Sequence, residues 1–158
     1  MFESPLQPNE RFTPRALVVE NDLASRELLA RVLRRKGLEA HTAVWAAQAA
    51  ALLLESVAKF DLVVVDLNIG PVDGVELLRH LANLDRAVRP GKIVAIADSL
   101  APFYPRRSSL RLDVEMFQKP VHLPSLMKVL VEILEGNGRR SGDVMANDAD
   151  QRDHGHDA

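Results

Sequence analysis

The segment Phe60-Asp-Leu-Val-Val-Val-Asp-Leu-Asn-Ile-Gly-Pro-Val-Asp-Gly74 limits the possible folds more than any other part of the chain. The run Leu62 to Val65 is mostly β-branched and too short for a helix. Gly70, Pro71, Asp73 and Gly74 supply turn chemistry directly behind it. It therefore reads as a buried strand that ends on a carboxylate, Asp66, and passes at once into a turn and a helix. In parallel α/β sheets the carboxyl ends of the strands line the ligand crevice. Asp66 is then expected at the rim of such a crevice, where a carboxylate can coordinate a cation or act as a nucleophile.

The same strand-then-helix pattern recurs along the chain. Arg15 to Glu20 predicts a short strand ending on an acid, and Asn21 or Asp22 can cap the next helix. In that helix Leu28, Leu29, Val32 and Leu33 recur at helical spacing, and Gly37 stops it after Arg34-Arg35-Lys36. Leu38 to Ala43 is a weaker second strand, and Val44 to Val57 an alanine- and leucine-rich helix into which Trp45 is expected to pack. A helix over Val72 to Leu84, a turn at Pro90-Gly91 and a buried strand over Lys92 to Ala97 follow. Between Asp98 and Asp113, Pro102 and Pro105 prevent one long helix, so the fourth helix is expected to be short or broken. Val114 to Gln118 is the fifth strand, leading into Lys119-Pro120. Leu123 to Leu134 is the last helix, with Pro124 in its first turn and Leu123, Leu126, Leu130 and Ile133 on one side.

Five strands alternating with helices predict an α/β fold: a flavodoxin-like (βα)5 doubly wound parallel sheet in strand order 2-1-3-4-5. The expected organisation is a flexible arm over 1–14, one domain over 15–135 and a disordered tail over 136–158 that is nearly free of apolar residues. In that strand order the first and third strands are neighbours. Glu20 and Asp66 then converge on one crevice, and Lys119 reaches it from strand five.

Composition removes several function classes. A formal net charge of -2 argues against bulk affinity for nucleic acid or anionic membranes. The absence of cysteine excludes disulfides and thiolate chemistry. The longest apolar stretch, Ala46 to Leu54, contains Gln48 and is too short to span a bilayer, so a cytoplasmic protein is expected. Neither G-x-G-x-x-G nor G-x-x-x-x-G-K-[ST] occurs.

Glu20 and Asp66, with Asn21 and the backbone carbonyl of Asn68, form an oxygen-rich set suited to Mg²⁺, which takes one or two carboxylates and keeps several waters. Lys119 offers a point charge to a phosphoryl oxygen, and Asp66 a nucleophile able to form an acyl phosphate. On these residues the chain resembles the receiver domains of two-component response regulators. The carriers are Leu17-Val-Val-Glu-Asn-Asp22, the segment Asp66 to Gly74 and Phe117-Gln-Lys-Pro120. The resemblance implies that Asp66 accepts a phosphoryl group from a histidine kinase or phosphotransfer protein. It also implies Glu20, Asn21 and the Asn68 carbonyl at the Mg²⁺ site, and Lys119 on the phosphoryl group. A phosphoacceptor is implied rather than an enzyme, with at most self-phosphorylation and autodephosphorylation chemistry.

The departures from the family pattern are specific. Asn21 stands where the second acid is usual, which predicts weaker Mg²⁺ binding. Ala97 replaces the Thr or Ser that ends strand four, and Met116 the aromatic switch residue of strand five. Ser99 lies two residues beyond Ala97, on the same side of an extended chain. Phe103 and Tyr104 beside Arg106 and Arg107 form a candidate partner surface. The resemblance places partner or homodimer contacts on this face, from the fourth to the last helix. Arg26, Arg31, Arg34 and Arg35 are either a second surface or a solvated face.

The leading expectation is a stand-alone receiver in a phosphorelay, acting on an output protein through contacts. One alternative is a pseudo-receiver scaffold that works without phosphorylation. Another is a small phosphatase resembling the haloacid dehalogenases, but that chemistry wants an acid at position 68, where Asn68 stands.

Overall fold

The computed structural model describes residues 13–56, 58–69, 74–104 and 112–146, with side chains to residue 136. Five parallel strands form one sheet: β1 (Arg15–Val19), β2 (Glu39–Ala43), β3 (Leu62–Asp66), β4 (Lys92–Ala97) and β5 (Val114–Gln118). Their order across it is β2-β1-β3-β4-β5. The described helices are α1 (Leu23–Arg35), α2 (Ala46–Glu55), α3 (Gly74–Asn83) and α4 (Leu123–Ala146). This is the doubly wound, flavodoxin-like arrangement expected from the sequence.

Alternation along the strands divides the core into two layers. Leu17, Val19, Val63 and Val65 point to the face covered by Ala46, Ala49 and Leu53 of α2 and Leu77, Leu78 and Leu81 of α3. Ala16, Val18, Leu62 and Val64 point to the other face, against Leu29, Ala30 and Leu33 of α1 and Leu126, Val129 and Leu130 of α4. Every position of β3 is buried, as a central strand covered on both sides requires.

Local signals set the element ends. The Asp22 side chain accepts from the Ser25 N–H at 2.8 Å and caps α1. Gly37 takes a positive φ of 93° just beyond the helix, where a side chain would be strained. The Gln48 side chain reaches back to the Val44 N–H at 2.8 Å, at the start of α2.

Four details differ from the sequence reading. Leu28 is exposed: at about 100° per residue it lies away from the arc of Leu29, Leu33 and Ala30 that meets the sheet. Trp45 is 50% exposed, because α2 begins at Ala46 rather than Val44 and Trp45 itself is extended, off the buried stripe. Leu123 is exposed at the first position of α4, and Val129 joins the buried side instead. The last helix runs on to Ala146 rather than ending at Leu134, into the stretch read as tail. No proline interrupts that stretch, and each glycine in it costs only about 1 kcal/mol relative to alanine.

Between β4 and β5 the described residues hold a tight turn: the N–H groups of Phe103 and Tyr104 both reach the Leu100 carbonyl, at 2.9 and 3.3 Å. Tyr104 is the last described residue before β5's approach at Leu112; Pro105 and most of the stretch where the fourth helix was expected to be short or broken lie outside the described residues. Among the described residues no helix is long and apolar enough to cross a membrane.

Candidate functional site

The register places the chemistry. Val19 pairs with Val65 across β1 and β3, so the next residues, Glu20 and Asp66, leave the sheet side by side. Both are buried, each 2% exposed, and they are the buried charged residues among those described. Each has a local backbone donor: Glu20 Oε1 accepts from the Asp22 N–H at 3.0 Å, and Asp66 Oδ1 from the Asn68 N–H at 2.9 Å. The second contact is an Asx-type turn that fixes the carboxylate as the strand ends. Arg26 of α1 holds the first loop by donating to the carbonyls of Glu20 and Asn21, at 3.0 and 3.4 Å.

Gly74, at the start of α3, packs onto the loop that follows Asp66. A Cβ there would lie 2.6 Å from Leu67 Cα and 2.8 Å from the Asp66 carbonyl oxygen. Only glycine allows so close an approach of helix and strand end.

Lys119 enters from β5. Its N–H donates to the Ala97 carbonyl at 2.8 Å, and the peptide bond to Pro120 is cis. Its ammonium donates to Asp66 Oδ2 at 2.9 Å and lies 3.8 Å from Asp98 Oδ1 and 4.0 Å from Glu20 Oε2. Partial burial opposes the ammonium charge. The hydrogen bond and charge of Asp66, followed by Glu20 and Asp98, outweigh it and raise the Lys119 pKa above its usual value. Glu20 is shifted upward too, first by burial and then by the neighbouring Asp66 charge, against the Asp22 hydrogen bond.

The residues present suit a hard divalent cation. Two buried carboxylates face each other, and burial, with the neighbouring Asp66 charge behind it, holds Glu20 above its usual pKa. Among the described residues no three acids or histidines gather into a metal cage of their own. Glu20 and Asp66 could hold such an ion together with backbone oxygen and water. Asn21 is exposed at the edge of this set.

The remaining candidates divide. Ala97 is buried, and Met116 and Phe103 pack as partly buried neighbours in the same apolar layer. No hydroxyl stands at the first position and no ring at the second. Ser99 is exposed. Phe103 turns back onto the core, while Tyr104 faces solvent. Arg106 and Arg107 lie outside the described residues. Of the helix-one arginines, Arg26 braces the site loop and Arg34 donates to the Ala40 carbonyl at 2.9 Å, while Arg31 and Arg35 are exposed.

Asp98 and the Asn68 side chain are additions to the sequence reading. Asn68 Oδ1 accepts from the Asp98 N–H at 3.0 Å, tying the loop after β3 to the end of β4. The signal for Asp98 is its place immediately after Ala97, one residue beyond a strand that ends on this edge.

Comparison with known proteins bears on the family and the fold. The sequence model described as the response regulator receiver domain matches residues 16–131. A CheY-like response regulator receiver domain from Methylobacillus flagellatus is 27% identical, with a TM-score of 0.63, over 76% of this chain and 98% of that one. A response regulator receiver protein from Pseudomonas putida is 28% identical, with a TM-score of 0.65, over 75% and 95% of the two chains. The chemotaxis response regulator CheY4 of Vibrio cholerae, 20% identical with a TM-score of 0.65 over 77% and 98%, shares the fold. No curated protein matches the chain.

Proposed function

The chain belongs to the response regulator receiver domain family, and from that premise we propose that Asp66 accepts a phosphoryl group in a two-component phosphorelay. The donor is a histidine kinase or a phosphotransfer protein, and the output is carried by contacts with another protein in the cytoplasm. The observation that supports this most is the buried Asp66 carboxylate with Glu20 beside it and the Lys119 ammonium at 2.9 Å.

In the reaction a carboxylate oxygen of Asp66 attacks phosphorus. The new O–P bond forms as the bond to the donor breaks, and the donor leaves with that bond's electron pair. The Asn68 N–H keeps Oδ1 in place, and Lys119, already on Oδ2, can follow the negative charge onto the phosphoryl oxygens. Glu20, Asn21, Asp66 and the Asn68 carbonyl would hold Mg²⁺, which when bound neutralises charge between carboxylate and phosphoryl oxygens.

A phosphorylation-independent scaffold is the second reading. It is favoured by one observation: Ala97 and Met116 leave the apolar layer beside the site without hydroxyl or ring. Intact-mass measurement after incubation with acetyl phosphate and Mg²⁺ separates the two. The phosphoacceptor reading expects a phosphoryl mass gain in the wild type that is absent in Asp66→Ala. Equal masses in the two proteins favour the scaffold.

A further inference from the structure

We propose that Asp98 is the residue through which this receiver senses its phosphoryl group, and that it works by being displaced. The inference rests on Asp66 being the phosphoacceptor. Lys119 is shared in the resting protein: its ammonium binds Asp66 Oδ2 at 2.9 Å and faces Asp98 Oδ1 at 3.8 Å. Asp98 is otherwise 72% exposed, so its carboxylate can leave for water at little cost. Its backbone is held in the resting position. Asn68 accepts the Asp98 N–H on its side chain at 3.0 Å while giving its own N–H to Asp66 at 2.9 Å. One residue therefore links the acceptor carboxylate to the start of the β4–β5 connection.

A phosphoryl group on Asp66 changes the charges on both sides of Asp98. It replaces the carboxylate's single negative charge with about two on the acyl phosphate, and it draws Lys119 toward its own oxygens. Asp98 then loses its cation and faces a larger anion. Ala97, buried and without a hydroxyl, offers the new group no side-chain donor. The net force on the segment is repulsive. Asp98 moves outward and strains its bond to Asn68, and the turn built on the Leu100 carbonyl moves with it. That turn carries Phe103 on its inner side and the exposed Tyr104 on its outer side. Displacement of Asp98 thus alters what Tyr104 presents to a partner.

The chain has a single tyrosine, so fluorotyrosine incorporation puts one ¹⁹F reporter at Tyr104. Beryllofluoride with Mg²⁺ serves as the phosphoryl stand-in, and its own bound ¹⁹F signal gives occupancy in the same spectrum. In the wild type the Tyr104 resonance is expected to move as the site fills. Asp98→Asn is expected to saturate at roughly five-fold lower beryllofluoride, because one charge repulsion through solvent is gone. At equal occupancy its Tyr104 resonance should move by less than about half the wild-type shift, since only differential contacts drive such a change. Equal Tyr104 shifts in the two proteins, or an occupied wild type whose Tyr104 does not move, would overturn the role of Asp98. Absence of bound beryllofluoride in the wild type would instead overturn Asp66 as acceptor, and this inference with it.

Discussion

Lys119 donates to Asp66 Oδ2 at 2.9 Å across 53 residues of sequence, joining the ends of β5 and β3 through one ammonium. The same group lies within 4.0 Å of Glu20, so one partly exposed cation balances two buried carboxylates. This relationship ties the ends of the two strands together through charge.

Lys119→Met should therefore destabilise the fold. Removing one partner from a buried ion pair costs about 3–5 kcal/mol; Lys119 is 31% exposed, so roughly 1–3 kcal/mol is the expected loss in urea unfolding. Added Mg²⁺ should restore more of the variant's stability than it adds to the wild type, since the ion supplies the missing charge. An unchanged unfolding midpoint would mean that the pair contributes nothing net.

Glu20 makes neutral pH unfavourable for this site. Burial raises its pKa in the fold above the ordinary value of 4.5. Below that value Glu20 is protonated in both states and exerts no penalty. As pH rises through the window between 4.5 and the raised folded value, the unfolded chain gives up its proton first and stability falls. Above the window the penalty is complete. Glu20→Gln keeps an oxygen for the Asp22 N–H and carries no charge. Its Tm should exceed the wild-type Tm at pH 7 and converge with it at low pH. A lower Tm at pH 7 would show the Glu20 charge to be net stabilising.

Gly74→Ala tests the close contact behind Asp66. Its Cβ would meet backbone atoms at 2.6 and 2.8 Å, and backbone cannot swing aside as a side chain does. A loss of about 1–3 kcal/mol is expected, with local shifts in backbone NMR resonances of Leu67 and Asn68. A neutral effect would mean that α3 can slide on the sheet.

Asp22→Ala removes the cap of α1 and with it the 2.8 Å bond to the Ser25 N–H. Thermal unfolding should report a loss of about 1 kcal/mol. The N–H that Asp22 gives to Glu20 is backbone and survives the change, so the loss belongs to the helix end rather than to the acidic site.

Much of this was legible from the sequence because strand endings fix position. Val19 and Val65 stand level in adjacent strands, so the acids after them had to meet once the strand order was inferred. Lys119 followed from the same reasoning on β5. What stayed hidden depended on side-chain direction. Asp98 carries no pattern of its own until the Asn68 side chain is seen to hold its N–H. Arg26 read as one of several helix-one arginines, yet it alone turns back to the Glu20 carbonyl. The place of Leu28 was not legible because composition marks a residue as apolar without saying which arc of a helix meets the sheet, and that of Trp45 because the helix begins only after it. Phe103 and Tyr104 are adjacent in sequence but part ways, one to the core and one to solvent.

The most direct test of the central claim is chemical localisation of the acyl phosphate. Wild-type protein is incubated with acetyl phosphate and Mg²⁺ and reduced with borohydride, which converts an aspartyl phosphate into homoserine. The peptide containing Asp66 is then sequenced by mass spectrometry. Homoserine at position 66, dependent on Mg²⁺ and lost in Lys119→Met, is the expected result. An unmodified Asp66 under conditions that label another receiver domain, or homoserine at a different aspartate, would contradict it.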